Sequence, residues 1–576
     1  MVTTLTPSPD ESISSARPIG GMALNAVGIS RKLKGGKALL SDISFSIEPG
    51  QLVAMVGGSG AGKTSLLNSL AGVAAPTSGQ VLYDGKDYYQ NLDEFRFALG
   101  YVPQDDIIHH DLPLATTLRY SAHLRLPADS SAREREDAVT EALDVLGLAD
   151  RSALPVKALS GGQRKRASIG VELLTRPRIF FLDEPTSGLD PAMSAELMTL
   201  LRGMADNGST VVLTTHVTQD IAMCDKVIFL ARDGHLAFFG PPGGALEYFG
   251  ASAFDEIYIR IAEDNPEVWS ERFRASPHFR LAEDISDSAK APLAERSRAL
   301  PVGSFRQWLL LTRRNFDMLW RSPLTLAILL GSPLMVIAMF AMLFKGGAFD
   351  PQDPSPSATI MILFWVAFGA FFFGLTYGLL QICTEFPIFF RERLVNLRIL
   401  PYVGSKVAVL GPVLILICVL MLGVLRAFHR LPPLGIETYA EMTVTLVLSA
   451  FAALALGLLT SALVSSPEQA TIAMPMLCFP QVLFSGAILP VPIMAFLGRA
   501  ASTFMSDRWS FESLGQSAGL NSLFENGASP LGPPLLAQYG DSFSRPPHET
   551  WLILVAFTAV FLAVTCLVLM RKGRAG

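Results

Sequence analysis

The sequence is short of charge. Only 17% of its 576 residues are Asp, Glu, Lys or Arg, and the formal net charge is −5. That balance offers no basic surface for nucleic acid, so a nucleic-acid partner is not expected. Cysteine is scarce as well. Cys224, Cys383, Cys418, Cys478 and Cys566 lack zinc-site spacing, and none falls in a segment read as outside a membrane, so no disulfide framework is implied. The opening MVTTLTPSPDESISSARPIGG has neither the basic start nor the apolar core of a signal peptide. Polar and rich in Ser and Pro, residues 1–20 read as a disordered lead.

What is present is apolarity. Half the residues are hydrophobic and the mean hydropathy is +0.38. A chain of this length exceeds one compact core, so two or more domains are expected. Residues 1–300 read as a mixed globular sequence, and the long apolar runs lie within 324–570.

In the first half, the strand-length run LVAMV (52–56) is followed by GGSGAGKTS and then by the helical LLNSLAGV. The glycine loop matches G-x-x-x-x-G-K-[ST] from Gly57 to Thr64 in the strand–loop–helix setting the motif needs. Backbone N–H groups of Gly57, Gly58, Ser59, Gly60, Ala61 and Gly62 can converge on phosphate oxygens at a helix N-terminus. Lys63 is placed to reach the β- and γ-phosphates, and Thr64, next to Ser65, to hold Mg²⁺. A second buried strand, IFFL (179–182), ends in Asp183 and Glu184 at the sheet edge where ligands bind. Asp183 suits the Mg²⁺ shell, and Glu184 suits a general base orienting a water. VVLTTH (211–216) is a further strand that ends at His216, a candidate γ-phosphate contact.

In order, these segments resemble the ATP-binding cassette (ABC) family. The glutamine loop is YVPQDD with Gln104, the signature is LSGGQ at 159–163, the D-loop is SGLD at 187–190, and His216 is the switch histidine. RKRASIGVEL after the signature and CDKVIFLARDGHLAFFGPPGGALEYFG (224–250) resemble the G (White) subfamily. The resemblance covers residues 20–250 and implies ATP and Mg²⁺ as cofactors, with Gln104 beside Thr64 and Asp183 at the metal. It also implies a catalytic set of Glu184, His216, Gln104 and Lys63. Ser160, Gly161, Gly162 and Gln163 of the signature and Asp190 of the D-loop would bind the nucleotide held by a second chain. The family's aromatic adenine-stacking residue has no counterpart in SRKLKGGKALL, where Leu33 lies nearest.

The second half offers apolar runs at 324–344, 357–382, 405–425, 440–464, 470–489 and 551–570, each near the roughly 20 residues a span requires. The expected fold is therefore an α/β P-loop NTPase cassette followed by an all-α, six-helix transmembrane domain. The expected domain boundaries are a lead at 1–20, a cassette at 21–255, a linker at 256–304, an amphipathic connecting helix at 305–321 and an ABC-2 type membrane domain at 322–576. Arg313, Arg314, Arg321, Arg391, Arg393, Arg398, Lys406 and the terminal RKGR place the cassette and both termini in the cytoplasm, with Arg426 and Arg430 as exceptions outside. The cassette side is thus the inner face of the cell membrane. VPIMAFLGRAAS reads as a short re-entrant helix, and 509–550 as the one long outer segment. Ionisable residues are nearly absent within the runs, which disfavours proton-coupled transport. On the second run Trp365, Phe368 and Phe372 fall near one face and Phe371 and Phe373 on others.

The resemblance implies more. Residues 384–398 would be the coupling helix, with Glu385, Arg391 and Glu392 meeting the cassette. Phe373, Phe479, Ala487 and Ile488 would line the substrate path, the last two standing where the subfamily has valve leucines. The whole implies a half-transporter that works as a homodimer, or as a heterodimer with another half-transporter, in a lipid membrane. It would export a hydrophobic, lipid-like or amphipathic substrate. A signalling or mechanical ATPase without cargo, or an importer of the same architecture, remains the alternative.

Overall fold

In a computed structural model of the chain, the described residues are 20–279, except 34 and 96, and 302–573. Residues 1–19 of the expected lead and 280–301 of the expected linker lie outside them. The chain forms two compact units, the first within 1–108 and 113–300 and the second within 109–112 and 301–576.

The first unit is built on ten strands: β1 (Leu24–Lys32), β2 (Ala38–Ile47), β3 (Leu52–Gly57), β4 (Ser78–Tyr83), β5 (Lys86–Asp87), β6 (Leu99–Val102), β7 (Ile179–Leu182), β8 (Thr210–Thr214), β9 (Lys226–Ala231) and β10 (His235–Gly240). They form one sheet in the order β5-β4-β1-β2-β10-β9-β3-β8-β7-β6. From β9 to β6 every neighbour is parallel. The antiparallel pairs β1–β2, β1–β4 and β4–β5 lie at the other edge. β3, β7 and β8 are buried at every residue, as continuous apolar runs require when a parallel sheet is covered on both faces.

The cassette extends further than the sequence indicates. Residues expected to be linker form helices Phe254–Glu263 and Pro266–Arg274. Ile257, Ile261, Trp269 and Phe273 join the cassette's apolar core. Trp269 and Phe273 stand four apart on one face of their helix, a spacing that buries both together.

Among the described residues of the second unit, five helices are long and apolar enough to cross a membrane: Pro323–Leu343, Pro356–Leu379, Ile399–Ala427, Ile436–Leu463 and Pro547–Lys572. The run expected at 470–489 is the eighteen-residue helix Pro467–Phe484. At 1.5 Å per residue it is about 27 Å long, short of the roughly 30 Å hydrocarbon core. It opens on Pro467 and Glu468 and carries Pro475 and Pro480 inside. The helices Pro356–Leu379 and Ile436–Leu463 pack through small residues. A Cβ on Gly374 would stand 2.2 Å from the Ala450 carbonyl, and one on Gly457 would stand 2.5 Å from that of Leu375. Small residues let backbones approach where lipid supplies no hydrophobic drive.

The connecting helix spans Ser304–Arg321. Its buried face is largely polar, with Gln307, Arg314 and Asn315, while Phe305, Leu309, Phe316 and Trp320 are exposed. That inversion suits a helix whose outer side meets lipid. The short helix expected near 491–502 is Phe496–Thr503. The exception at Arg430 has a local cause: its Nε donates to the Ala341 carbonyl (3.1 Å) in the last turn of Pro323–Leu343, where carbonyls lack helix partners.

The segment after Phe496–Thr503 overturns an expectation. Residues 509–550 do not begin as an outer loop. Helix Ser506–Ser517 is buried along most of its length and packs on Pro356–Leu379, Ile436–Leu463 and Pro547–Lys572. It therefore brings Asp507, Arg508 and Glu512 in among the spans. SDRWSFESLGQS reads as loop because it is polar, yet its serines and glycine permit close packing. The Ser513 and Thr445 hydroxyls share a hydrogen bond (3.1 Å), and the Trp551 indole N–H donates to Thr445 Oγ1 (2.9 Å).

Candidate functional site

The glycine loop leaves β3 and enters helix Lys63–Leu70 through Gly62, whose φ of 94° belongs to the left-handed region. A Cβ there would stand 2.7 Å from the Leu39 carbonyl, so both backbone and space require glycine. Gly58 and Gly60 are exposed and open on their outer side, Ser59 is exposed, and Ala61 is buried beneath the loop. Lys63 folds back over the loop, donating to the carbonyls of Gly57 (2.9 Å) and Gly58 (3.3 Å). Burial pushes its ammonium below the usual lysine range, and Glu184 and Asp183 partly offset that. Thr64 Oγ1 donates to Asp183 Oδ1 (3.2 Å), and Ser65 contributes its carbonyl to Ser69 Oγ.

Asp183 and Glu184 sit at the C-terminal end of β7. Asp183 is 3% exposed, and its Oδ1 also accepts from Thr214 Oγ1 (2.6 Å). Glu184 takes a positive φ of 44°, uncommon outside glycine and a form of strain found at functional sites. Three groups hold it there. Its N–H donates to Thr214 Oγ1 (2.8 Å), Gln104 Nε2 donates to its Oε2 (3.0 Å), and His216 Nε2 lies 2.6 Å from its Oε1. Gln104, Glu184 and His216, expected to work together from three separate stretches, thus meet on one carboxylate.

Beneath this group lies a support that sequence reasoning did not find. Buried Asp220 accepts from Thr186 Oγ1 and Thr215 Oγ1, each at 2.8 Å, and so ties the loop after Glu184 to the loop before His216. Its burial raises its carboxyl, against the lowering by the two threonines. Thr214 was equally missed. Its signal was a hydroxyl ending an apolar strand, a place where a polar group needs a reason.

The signature begins helix Gly161–Leu173. Ser160 Oγ accepts from the Gln163 N–H (3.3 Å), and Gln163 Oε1 accepts from the Ser160 N–H (3.1 Å), a reciprocal capping box. Gln163 is thereby occupied at the cap. Ser160 and Gly161 are exposed at the helix N-terminus, whereas Gly162 is buried, where a Cβ would meet Met193 Cε at 2.5 Å. The following basic run is structural in part. Lys165 is 4% exposed and donates to the carbonyls of Gln104 (2.6 Å) and Pro103 (3.2 Å), fixing the glutamine loop. Arg164 Nη1 donates to the Leu159 carbonyl and Arg166 Nη1 to that of Leu146. Asp190 caps helix Pro191–Asp206 by accepting from the Met193 N–H (2.9 Å). Leu33 is exposed in the turn between β1 and β2.

The site fits a nucleotide with a divalent cation. Among the described residues no three His, Cys, Asp or Glu side chains could hold a metal by themselves. A hydroxyl and a carboxylate beside a phosphate cradle are what Mg²⁺ needs when phosphate oxygens complete its shell.

In the second unit the expected coupling residues lie on helix Phe386–Val395 or at its start. Glu392 pairs with Arg314 of the connecting helix, and Glu385 with Lys406 of the next span. Arg391 is buried. Of the expected path residues, Phe479 and Ile488 are exposed, while Ala487 and Phe373 are buried. Phe373 is only 2% exposed and packs near Phe372 and Tyr377. The partly open stripe of its helix is instead Trp365, Phe368 and Phe372, at the spacing of one helix face.

A P-loop site on a mixed sheet, followed by a bundle with membrane-length helices, defines a membrane-anchored nucleotide-binding protein. Residues 40–187 match the ABC transporter family and residues 306–514 the ABC-2 type transporter family. The chain thus carries an ABC transporter cassette domain first and an ABC-2 type membrane domain second. It is 32% identical over 571 residues to the ABC transporter ATP-binding/permease protein Rv1747 of Mycobacterium tuberculosis, covering 94% of this chain and 62% of that one. It is 37% identical over 233 residues to ABC transporter G family member 21 of Arabidopsis thaliana, covering 39% of this chain and 34% of the relative. It is 38% identical over 227 residues to the broad substrate specificity ATP-binding cassette transporter ABCG2 of Rattus norvegicus, covering 38% and 34%. The chain thus spans less than two thirds of the length of these relatives.

Proposed function

We propose that this chain is one half of an ATP-driven exporter, working as a dimer and most simply as a homodimer. It hydrolyses ATP and moves a hydrophobic, lipid-like or amphipathic substrate out of the cytoplasm or the inner leaflet. The observation that carries this reading is the Glu184 carboxylate held between His216 and Gln104 at the sheet edge beside Lys63. That site stands in a chain whose described residues include five helices of membrane-crossing length.

In this reading the Lys63 ammonium leaves the Gly57 and Gly58 carbonyls for the β- and γ-phosphate oxygens. Thr64 and Asp183 hold the cation, and Mg²⁺ when bound neutralises charge developing on the transferred phosphoryl group. Glu184 orients the attacking water and accepts its proton, with Gln104 and His216 fixing the carboxylate. Exposed Ser160 and Gly161 serve the nucleotide of a second chain, so that one chain alone holds half of each site.

Residues 384–398 carry the cassette's motion into the spans. The ion pairs Arg314–Glu392 and Lys406–Glu385 support this, since they tie the short helix to the connecting helix and to the third span. The cassette side is cytoplasmic, as the basic residues flanking the spans indicate. The open aromatic stripe of Trp365, Phe368 and Phe372 is the surface best suited to an apolar cargo.

The test is ATPase activity of the full chain in nanodiscs across a panel of lipids and hydrophobic compounds, paired with vesicle transport of any hit. Stimulation by an apolar compound, with ATP-dependent accumulation of that compound, is expected. ATPase activity indifferent to the whole panel, with no accumulation, would favour a device without cargo.

A further inference from the structure

Helix Ser506–Ser517 buries an acid that nothing satisfies. Asp507 is fully buried, and among the described residues neither of its carboxylate oxygens has a hydrogen-bond partner. Its main chain is anchored: the Asp507 N–H donates to Gln481 Oε1 (3.0 Å), and its carbonyl accepts from Ser510 Oγ (3.0 Å). The side chain is therefore fixed in place without a cation to pair with.

The nearby cations are engaged elsewhere. Arg508 Nε donates to Glu512 Oε1 (2.8 Å), its Nη1 donates to Ser502 Oγ (2.8 Å), and its guanidinium lies over the Trp509 ring at 4.5 Å. Arg545 lies over the same ring at 5.7 Å and acts on Glu512. From helix Pro467–Phe484 the group in electrostatic reach of Asp507 is the Cys478 thiol. Span Pro356–Leu379 carries no Asp, Glu, Lys, Arg or His. The other elements packed on the helix carry Glu437, Glu441, His548, Glu549, Arg571 and Lys572 on two spans, Glu468 at the start of Pro467–Phe484, and Arg499, Glu525 and Asp541 on short helices. None of these hydrogen-bonds to the Asp507 carboxyl, whose two oxygens stand alone.

An ionised carboxylate without a partner is among the most costly groups to bury, and such a group neutralises instead. The positive end of its own helix favours the anion, but that effect is small beside full desolvation. A metal would need further ligands, and among the described residues no three suitable side chains gather. A proton needs neither ligands nor space. Burial alone drives the Asp507 carboxyl well above the usual carboxylate range.

We propose that Asp507 is a proton-binding site: its carboxyl is held as the neutral acid in this packed conformation, and the proton leaves when water reaches helix Ser506–Ser517. On release the acid O–H bond breaks, the proton passes to water and a carboxylate remains. Glu512, five residues on, is the contrasting acid: burial raises its carboxyl, but Arg508 donates to its Oε1 and opposes that rise. The site does not depend on which substrate the protein moves.

The test is infrared spectroscopy of the full chain in nanodiscs, with thermal unfolding over a pH series. At neutral pH the wild type is expected to show the C=O stretch of a protonated carboxylic acid that is sensitive to deuteration. The band should vanish in Asp507→Asn and persist in Glu512→Gln. The sign of the pH effect follows from the raised value. Stability is complete below the ordinary aspartate value of 3.8 and falls as pH rises toward the folded value, because the unfolded chain ionises first. Asp507→Asn lacks that loss, so its unfolding temperature should gain on the wild type as pH rises. The proposal is overturned by a wild type without the acid band at neutral pH, or by carboxylate bands that instead respond to a change of metal cation. It is also overturned by a band unaffected in Asp507→Asn, or by an Asn variant that loses ground with rising pH. Should Asp507→Asn not fold, the wild-type band and its survival in Glu512→Gln still decide the matter.

Discussion

Asp183 and Asp507 are both aspartates, both almost fully buried, and both lie near the start or end of a regular element. Their surroundings set them apart. Asp183 accepts from Thr64 and Thr214 and faces the Lys63 ammonium, so its charge is matched in a cleft that a cation can complete. Asp507 accepts from nothing, and its neighbouring arginine is spent on Glu512. Burial is common to both, so the partners decide the chemistry. One acid is poised to hold a metal and the other to hold a proton. The same contrast separates the two units: the cassette's Asp183 is paired into a working site, while the bundle buries Asp507 with no partner for its carboxyl.

The largest expected effect breaks the paired side of that contrast. Glu184→Gln keeps the shape but removes the base, and turnover should fall about a hundred- to ten-thousandfold while ATP remains bound. Steady-state ATPase and filter-binding assays read the two quantities separately, and full hydrolysis would remove Glu184 from its role. Next comes the packed side of the bundle. Phe373→Ala leaves a cavity of a kind costing up to about 3–5 kcal/mol, so it should lower the unfolding temperature and depress basal and substrate-stimulated ATPase together. Selective loss of stimulation would instead put Phe373 on the substrate path despite its burial. Lys165→Met tests a buried cation that, unlike Asp507, is fully matched. Loss of its bonds to the Pro103 and Gln104 carbonyls should cost about 1–3 kcal/mol and slow turnover through a loosened glutamine loop, seen by calorimetry and by kcat. The smallest effect is expected at the open stripe. Phe372→Ala should leave basal ATPase and stability near wild type and change only stimulation by apolar compounds.

The cassette was largely legible in the sequence because its motifs are contiguous. Glycines, Lys63 and Thr64 stand in one loop, and Asp183 and Glu184 close one apolar strand, so spacing along the chain is spacing in the site. Asp220 and Lys165 were not legible, since each acts by crossing from one loop to another, and a lone Asp or a basic run has many commoner uses. The spans announced themselves by length and apolarity, and their bounds move by a few residues at each end. Helix Ser506–Ser517 stayed hidden for the opposite reason. Its sequence is polar, and hydropathy assigns polar residues to water, whereas the bundle pairs several of its polar groups internally through Thr445, Gln481 and Arg508. Phe373 is buried where Phe372 is partly open, because the helix's rotation against Ile436–Leu463, with Gly374 and Gly378 at the contact, decides which phenylalanine is open, and position along the chain does not carry that.

The central claim is that the nucleotide is held between the glycine loop of one chain and the signature of another. Ser59 and Ser160 are both exposed, one in each motif, and can be replaced by cysteine in the Glu184→Gln background, where ATP persists. Two differently tagged versions, one with Ser59→Cys and one with Ser160→Cys, are mixed, reconstituted and oxidised with and without ATP. The account predicts an ATP-dependent disulfide joining the two tags, seen as a doubled mass on a non-reducing gel. A disulfide that forms only when both cysteines are placed in one chain, and stays within it, would contradict the account.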